Sequence, residues 1–136
     1  MSYKVFLSHA WADRWLAEQI GRRIESDCRA SVFIDVFDVK KGDDIEDRIF
    51  EGMQSIDELV VLLTPWSVDR NWLWVEIGAA RALGRRIVPI LYQVTLETLD
   101  AKGGPTFLRA KNMVDVNELE TYLTELHDRV REHGHG

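Results

Sequence analysis

The chain has 136 residues, of which 46% are hydrophobic and 29% are charged, and its formal net charge is −6. This length, together with 5 Trp, 5 Phe and 3 Tyr residues, predicts one folded domain over residues 1–136 and excludes a disordered protein. The acidic balance argues against a nucleic-acid partner, and the lack of a long apolar stretch argues against a membrane partner. The lone Cys28 excludes a disulfide scaffold and predicts a reducing, cytoplasmic location.

Five short apolar runs indicate the strands. Most of the runs are uninterrupted rather than alternating, which is typical of strands that are buried on both faces of a parallel sheet. In chain order they lie at residues 5–7, 32–34, 59–63, 87–92 and 113–116. Pro89 lies inside the fourth run and cannot donate a ladder hydrogen bond, so we expect a bulge there or weak pairing on one side of that strand.

Apolar residues at helical spacing separate most of the runs. Residues three or four apart place their side chains on one helix face, where they can pack against a sheet. The four groups are Leu16, Ile20 and Ile24; Ile45, Ile49 and Met53; Leu73, Ile77 and Ala80; and Leu119, Leu123, Leu126 and Val130. Gly84 is expected to end the third helix, where a left-handed residue is often required.

This alternation of strands and helices predicts an α/β domain with helices on both faces of the sheet and the flavodoxin-like strand order 2-1-3-4-5. In such a sheet, ligands bind beyond the carboxyl ends of the strands. That rule selects residues 8–11, 35–43 and 64–71 and the loop that begins at Gln93. Glu76 follows just inside the third predicted helix, from where its carboxylate can face the same cleft.

The common catalytic and metal-binding motifs are absent. The sequence has no GxGxxG after a strand, no P-loop and no G-x-S-x-G elbow. Cys28 has no neighbouring base in the sequence, which predicts an inert thiol. His133 and His135 lack further ligands, so we expect no metal site, and the terminal HGHG is predicted to be a solvated tail.

Four ordered segments resemble the TIR domain, the Toll/interleukin-1 receptor fold. They are KVFLSHAWAD at 4–13, VFIDVFDVKKGDDI at 32–45, LVVLLTPWSVDRNWLWVEI at 59–77 and RIVPILY at 86–92. Their order and spacing match nearly the whole chain. The resemblance implies a flavodoxin-like, five-stranded parallel sheet. It also identifies the segment Asp38–Asp43 with the family's BB loop, which often mediates contact between TIR domains.

The resemblance also implies an activity. Some members, in bacteria, plants and axon-degeneration proteins, cleave NAD at the nicotinamide–ribose bond or cyclise its ADP-ribose. Those members carry a Glu four residues after a Trp on the third helix. Trp72 and Glu76 have that spacing here, so the resemblance gives Glu76 the catalytic role, with NAD as substrate and no cofactor. Nicotinamide leaves NAD as a neutral molecule, so one carboxylate can suffice where ordinary glycosidases need two.

The substrate contacts expected around Glu76 all lie at or beyond the ends of predicted strands. They are Ser8, His9, Asp35, Lys41, Thr64 and Trp72. Trp72 offers a flat face to a cationic ring, and Lys41 offers a positive charge to the pyrophosphate. His9, Asp35 and Thr64 are equally consistent with structural roles in their loops.

Two other functions stay open on the sequence alone. The first is a non-catalytic interaction module that recruits other TIR domains through the loop Asp38–Asp43. The second is an enzyme similar to nucleoside deoxyribosyltransferases, which use a Glu at an N-glycosidic bond. If the chain cleaves NAD, we expect activation by self-association and a downstream effector protein that responds to the product. By analogy, we also expect a role in bacterial antiphage immunity.

Overall fold

The computed structural model describes residues 2–35, 52–68, 71–95, 97 and 113–135. These residues form a five-stranded sheet in which every neighbouring pair is parallel and the order is β2-β1-β3-β4-β5. The strands are β1 (Lys4–Ser8), β2 (Ser31–Asp35), β3 (Glu58–Leu63), β4 (Arg86–Leu91) and β5 (Val114–Asp115). The predicted fold class and strand order are confirmed.

Three long helices accompany the sheet in the described part of the chain. They are α1 (Arg14–Cys28), α2 (Asn71–Ala82) and α3 (Leu119–His135), and short 3-10 turns precede α1 at Trp11–Asp13 and α3 at Val116–Glu118. They correspond to the first, third and fourth predicted helices. Residues 52–54 are helical as well, and the rest of the second predicted helix lies outside the described residues.

The helices cover both faces of the sheet. Along β1, Val5 and Leu7 point to the face that α1 and α3 cover, whereas Phe6 points to the face that α2 covers. The same alternation runs through β3, all of whose residues are buried. Both faces of these central strands therefore need apolar side chains, which explains the uninterrupted apolar runs.

Two predictions about the backbone, at Gly84 and at Pro89, can be checked directly. Gly84 follows α2 with a φ of 71°, the left-handed conformation expected at the end of a helix. At Pro89, the β3–β4 ladder continues without a bulge, with Val61 opposite the proline. The β4–β5 ladder begins only at Ile90, opposite Val114. Weak pairing on one side of Pro89 is thus confirmed, because the missing N–H faces a position where β5 is not yet paired.

The predicted solvated tail was wrong for His133. Helix α3 continues through His135, and the His133 ring packs edge-on against Tyr3 with 5.4 Å between ring centroids. Cys28, in contrast, behaves as predicted: it is buried at the end of α1, its thiol donates to the Leu123 carbonyl at 3.1 Å, and burial raises the pKa of this thiol to about 11.

One buried carboxylate lies at the amino edge of the sheet, where the strands begin. Glu58, the first residue of β3, is fully buried and accepts hydrogen bonds from the hydroxyls of Tyr3 and Tyr122. Arg129 of α3 donates Nε to Glu58 Oε1 at 3.0 Å and Nη2 to Oε2 at 3.2 Å. This cluster joins α3 to β1 and β3, and the sequence analysis did not identify it.

None of the helices in the described ranges combines the length and apolarity needed to cross a bilayer.

Candidate active site

Apart from Glu58, the buried polar side chains of the described residues follow the carboxyl ends of two adjacent strands. Polar groups withdrawn from water destabilise a fold unless partners or ligands compensate, so their concentration at one edge marks that edge as a candidate site. These buried polar residues are Ser8, His9, Asp13, Thr64, Ser67 and Glu76. Ser8 ends β1 and pairs with Asp35 of β2 and Val61 of β3, so the loops after β1 and β3 leave the sheet side by side.

The loop after β1 is short and leads into the 3-10 turn Trp11–Asp13. The Asp13 backbone N–H donates to the Ala10 carbonyl at 2.9 Å and closes this turn. His9 is 1% exposed and Asp13 is 6% exposed, so an imidazole and a carboxylate are both buried within one short loop. Burial raises the pKa of the Asp13 carboxyl, while a hydrogen bond from Thr64 and the positive charge of His9 act in the opposite direction.

The loop after β3 is fixed by reciprocal hydrogen bonds between Thr64 and Ser67. Thr64 N–H donates to Ser67 Oγ at 2.8 Å, and Ser67 N–H donates to Thr64 Oγ1 at 3.2 Å. Ser67 Oγ in turn donates to the Leu62 carbonyl at 2.9 Å. The Thr64 hydroxyl donates to Asp13 Oδ2 at 2.6 Å, which links this loop to the loop after β1. The hydrogen of this hydroxyl is therefore already used in the contact between the two loops.

Glu76 lies on α2, which begins beyond the loop after β3. Leu73, Ile77 and Ala80 of this helix pack into the core beneath the sheet. Glu76 is three residues after Leu73 and four before Ala80, so it belongs to the same sheet-facing stripe. It is 0% exposed. As the sixth residue of α2, it lies about 7.5 Å along the axis from the start of the helix.

Ser8 points to the same face of the sheet as Glu76. Side chains alternate along a strand, and Phe6 packs in the cluster that contains Leu73 and Ile77 of α2, so Ser8 shares that side. Ser8 is fully buried, and its Oγ has no hydrogen-bond partner among the described residues. A buried hydroxyl with spare capacity beside a helix that carries a buried carboxylate is suited to binding a polar group.

Two exposed indoles border the same edge. Trp11 follows β1 and Trp66 follows β3, and the rings of both are about half exposed or more. The Arg14 guanidinium lies over the Trp11 ring, 4.2 Å from its centroid, and donates to the Trp11 carbonyl at 3.0 Å. This edge thus offers flat apolar surfaces next to buried polar groups. In the sequence, the number of tryptophans was the only indication of such surfaces.

The predicted site residues fall into three groups. Ser8, His9, Thr64 and Glu76 are described with their side chains, and all four are buried. Asp35 and Trp72 are described only through the backbone, as the last residue of β2 and the second residue of α2. Lys41 and the loop Asp38–Asp43 lie outside the described residues.

Asp13 is the site residue that the sequence analysis missed. It lies in the quoted segment KVFLSHAWAD, but its link to Thr64 spans 51 residues and therefore leaves no local pattern. The signal available in the sequence was an acidic residue directly before the apolar stripe of α1. No group of three or more His, Cys, Asp or Glu residues within the described ranges is arranged to hold a metal ion.

The family model described as "TIR domain" matches residues 5–131. The chain belongs to the TIR domain family. Among curated proteins, it is 29% identical over 100 residues to the 2' cyclic ADP-D-ribose synthase BtTIR of Bacteroides thetaiotaomicron. That match covers 68% of this chain and 34% of the relative, so the chain spans about a third of the length of the curated relative.

Three solved structures share the fold of this TIR domain at 18–19% identity. The TIR domain of the Toll-related receptor TRR-2 from Hydra magnipapillata gives a TM-score of 0.69 over 96% of this chain and 99% of that one. The TIR domains of the activated Roq1 resistosome give 0.53 over 93% and 84%. The CMP N-glycosidase BcmB of Clostridium botulinum gives 0.52 over 90% and 97%. These likenesses establish the fold alone.

Proposed function

We propose that this TIR domain cleaves the nicotinamide–ribose bond of NAD, as a glycohydrolase or an ADP-ribose cyclase, with Glu76 as the catalytic carboxylate. The observation that carries the proposal is the complete burial of Glu76 in the sheet-facing stripe of α2, close to the carboxyl edge of the sheet. The curated relative adds support, because its name describes the synthesis of a cyclic ADP-ribose.

A single buried carboxylate suits this reaction. The bond between the ribose carbon and the pyridinium nitrogen breaks, both electrons go to nitrogen, and nicotinamide departs neutral without needing a proton. The ribose becomes an oxocarbenium-like cation, which the Glu76 carboxylate stabilises far better in a dry site than it would in water. Water then adds to give ADP-ribose, or a hydroxyl of the ADP-ribose adds to give a cyclic product, with release of one proton in either case.

The remaining substrate contacts belong to the same proposal. Ser8 Oγ has spare hydrogen-bonding capacity for a ribose hydroxyl, and His9 lies next to it in the chain. Asp35, Trp72 and Lys41 complete the proposed contacts, with the Trp72 indole facing a ring and Lys41 facing the pyrophosphate. Thr64 supports the loops, since its hydroxyl already donates to Asp13 and accepts from the backbone.

Self-association completes the proposed mode of action. We expect the loop Asp38–Asp43 to contact a second TIR domain and a downstream effector protein to respond to the product. A cytoplasmic location fits the free thiol of Cys28 and the supply of NAD. The role in bacterial antiphage immunity rests on analogy with the family.

The decisive experiment is product analysis by mass spectrometry after the purified chain is incubated with NAD. The wild type should release nicotinamide together with ADP-ribose or a cyclic form. Glu76→Gln keeps the shape of the side chain but removes its charge, so it should lower the rate at least about 100-fold. Glu18→Gln, on the exposed side of α1, is the matched control and should leave the rate unchanged.

Each contrary result identifies an alternative. Equal rates for wild type and Glu76→Gln would refute the catalytic role of Glu76. A folded protein that leaves NAD intact at every concentration would be an interaction module. Turnover of deoxynucleosides in place of NAD would indicate an enzyme of the deoxyribosyltransferase type.

A further inference from the structure

Asp13 is a buried carboxylate that the proposed chemistry does not use. It closes the 3-10 turn after β1, and its side chain is almost fully withdrawn from solvent. Withdrawing an ionised carboxylate from water destabilises the folded state unless nearby groups compensate. Two such groups lie next to Asp13, and they belong to different loops of the candidate site.

The first group is the Thr64 hydroxyl, which donates to Asp13 Oδ2 at 2.6 Å. Hydrogen bonds to an ionised acceptor are short and roughly twice as strong as neutral ones. Thr64 is in turn bonded to the backbone N–H groups of Trp66 and Ser67. The Asp13 carboxylate therefore fixes the position of the loop that leads from β3 to α2, the helix that carries Glu76.

The second group is the His9 imidazole. His9 and Asp13 lie on either side of the same short turn, both are buried, and the positive charge of a protonated His9 stabilises the Asp13 carboxylate. The imidazole and the carboxylate are therefore both buried within the same short segment, which the Asp13 backbone N–H closes by donating to the Ala10 carbonyl at 2.9 Å.

We propose that Asp13 is a positioning residue of the candidate site, whose carboxylate ties the turn that follows His9 to the loop that begins at Thr64. This inference rests on the proposed NAD-cleaving function for its catalytic consequence, but the link that Asp13 makes between the two loops does not depend on it. The carboxylate acts as a brace between two loops that follow neighbouring strands. Without it, His9 and the start of α2 lose their fixed relation to each other.

The first test measures the His9 ring without any substrate. The ring proton and nitrogen resonances of His9 are recorded by NMR in the wild type, in Asp13→Asn and in Glu18→Gln. Asp13→Asn keeps an oxygen that can accept from Thr64 but removes the buried carboxylate charge from the turn that follows His9. The His9 resonances should move in Asp13→Asn and stay in place in Glu18→Gln, which removes a carboxylate from the exposed side of α1.

The second test measures NAD cleavage. Asp13→Asn and Thr64→Val should each lower kcat about 10-fold to 100-fold while KM changes little, because misplaced groups slow the reaction more than they weaken binding. Thr64→Ser keeps the hydroxyl and should restore the wild-type kcat. Thr64→Val also keeps the Asp13 charge, so it tests the brace through the β3 loop even where Asp13→Asn does not fold.

The outcomes separate this inference from the proposed function. Unchanged His9 resonances in a folded Asp13→Asn protein would overturn the inference, and so would a wild-type kcat in Thr64→Val. If the wild type itself releases no nicotinamide, the proposed function fails, while the His9 resonances still decide whether Asp13 positions the ring.

Discussion

Glu58 and Arg129 form an ion pair at the amino edge of the sheet, 71 residues apart in the chain, in which the partly buried Arg129 donates from both Nε and Nη2 to the fully buried carboxylate. The pair attaches the last helix, α3, to the central strand β3. It lies at the edge opposite the candidate site, so it stabilises the scaffold without taking part in the proposed chemistry. The hydroxyls of Tyr3 and Tyr122 satisfy the same carboxylate.

Removal of the Arg129 charge should strongly destabilise the fold. Arg129→Met leaves the Glu58 carboxylate buried with only two hydroxyl donors, so we expect the free energy of unfolding to fall by about 3 kcal/mol. Urea denaturation followed by circular dichroism measures the change. Arg23→Met is the matched control, because Arg23 of α1 also forms an ion pair that attaches α3, with Glu120, but at the exposed surface. Equal losses in the two variants would contradict the importance of burial.

The same cluster should make stability fall at alkaline pH. Burial, together with the adjacent Glu58 carboxylate, raises the pKa of Tyr3 and Tyr122 well above their ordinary value. In the unfolded chain both hydroxyls ionise near pH 10, whereas in the folded protein they keep their protons to higher pH. The stabilisation is therefore complete below about pH 10 and is lost as the pH rises toward the folded-state pKa.

Denaturation curves at a series of pH values above and below 10 test this dependence. The double variant Tyr3→Phe, Tyr122→Phe should be less stable at neutral pH, because Glu58 loses two donors, but its stability should decline less between neutral and alkaline pH. A decline as steep as that of the wild type would show that other groups are responsible.

Asp13→Asn should not destabilise the protein at neutral pH. Burial raises the pKa of the Asp13 carboxyl despite the opposing effects of Thr64 and His9, so the folded protein disfavours the ionised form. The side-chain amide of the variant carries no charge, so its burial is less unfavourable, and its oxygen can still accept a hydrogen bond from the Thr64 hydroxyl. The advantage of the variant should disappear as the pH falls through the raised pKa, where the wild-type carboxyl takes up its proton.

Thermal unfolding of wild type and Asp13→Asn at neutral and acidic pH measures this difference. A variant that is as stable as the wild type, or more stable, yet less active would indicate that Asp13 is retained for function at the expense of stability. A marked loss of stability at neutral pH would instead identify Asp13 as a purely structural residue.

Substitution by alanine should change the stability of the domain in opposite directions at Gly84 and Gly78, although the two glycines have similarly open surroundings. Gly84 has a φ of 71° and Gly78 lies within α2, and no atom outside the local backbone lies within 4 Å of a Cβ built on either. Gly84→Ala should cost about 1–2 kcal/mol because its conformation is left-handed. Gly78→Ala should stabilise the domain by about 1 kcal/mol through helix propensity. Chemical denaturation of both variants checks the contrast, and changes of the same sign would contradict it.

Specific activity should rise with protein concentration if a second TIR domain completes the site. We expect weak nicotinamide release from dilute protein and a higher rate per molecule as the concentration increases. Rates measured over several decades of concentration, alongside sedimentation of the same samples, test the expectation. A constant specific activity down to nanomolar protein would mean that one chain contains the whole site.

The sequence by itself determined the elements and their topology. Apolar runs such as residues 59–63 and the stripe of Leu73, Ile77 and Ala80 are local patterns, and strand–helix alternation leaves few ways to arrange them. The same local reading gave the turn at Gly84 and the incomplete pairing at Pro89. The resemblance to the TIR family, some members of which carry a Glu four residues after a Trp on the third helix, identified Glu76 as the candidate carboxylate.

Only the tertiary structure decided which distant side chains meet. Asp13 contacts Thr64 because β1 and β3 are neighbours in the sheet, and Glu58 contacts Arg129 because α3 returns to the strand beginnings. Neither pair follows a spacing rule, since hydrogen bonds across elements depend on how the chain packs. The burial of Glu76 also depends on the tertiary structure. Helical spacing places Glu76 on the apolar stripe of α2, and the packing of that stripe against the sheet removes it from water.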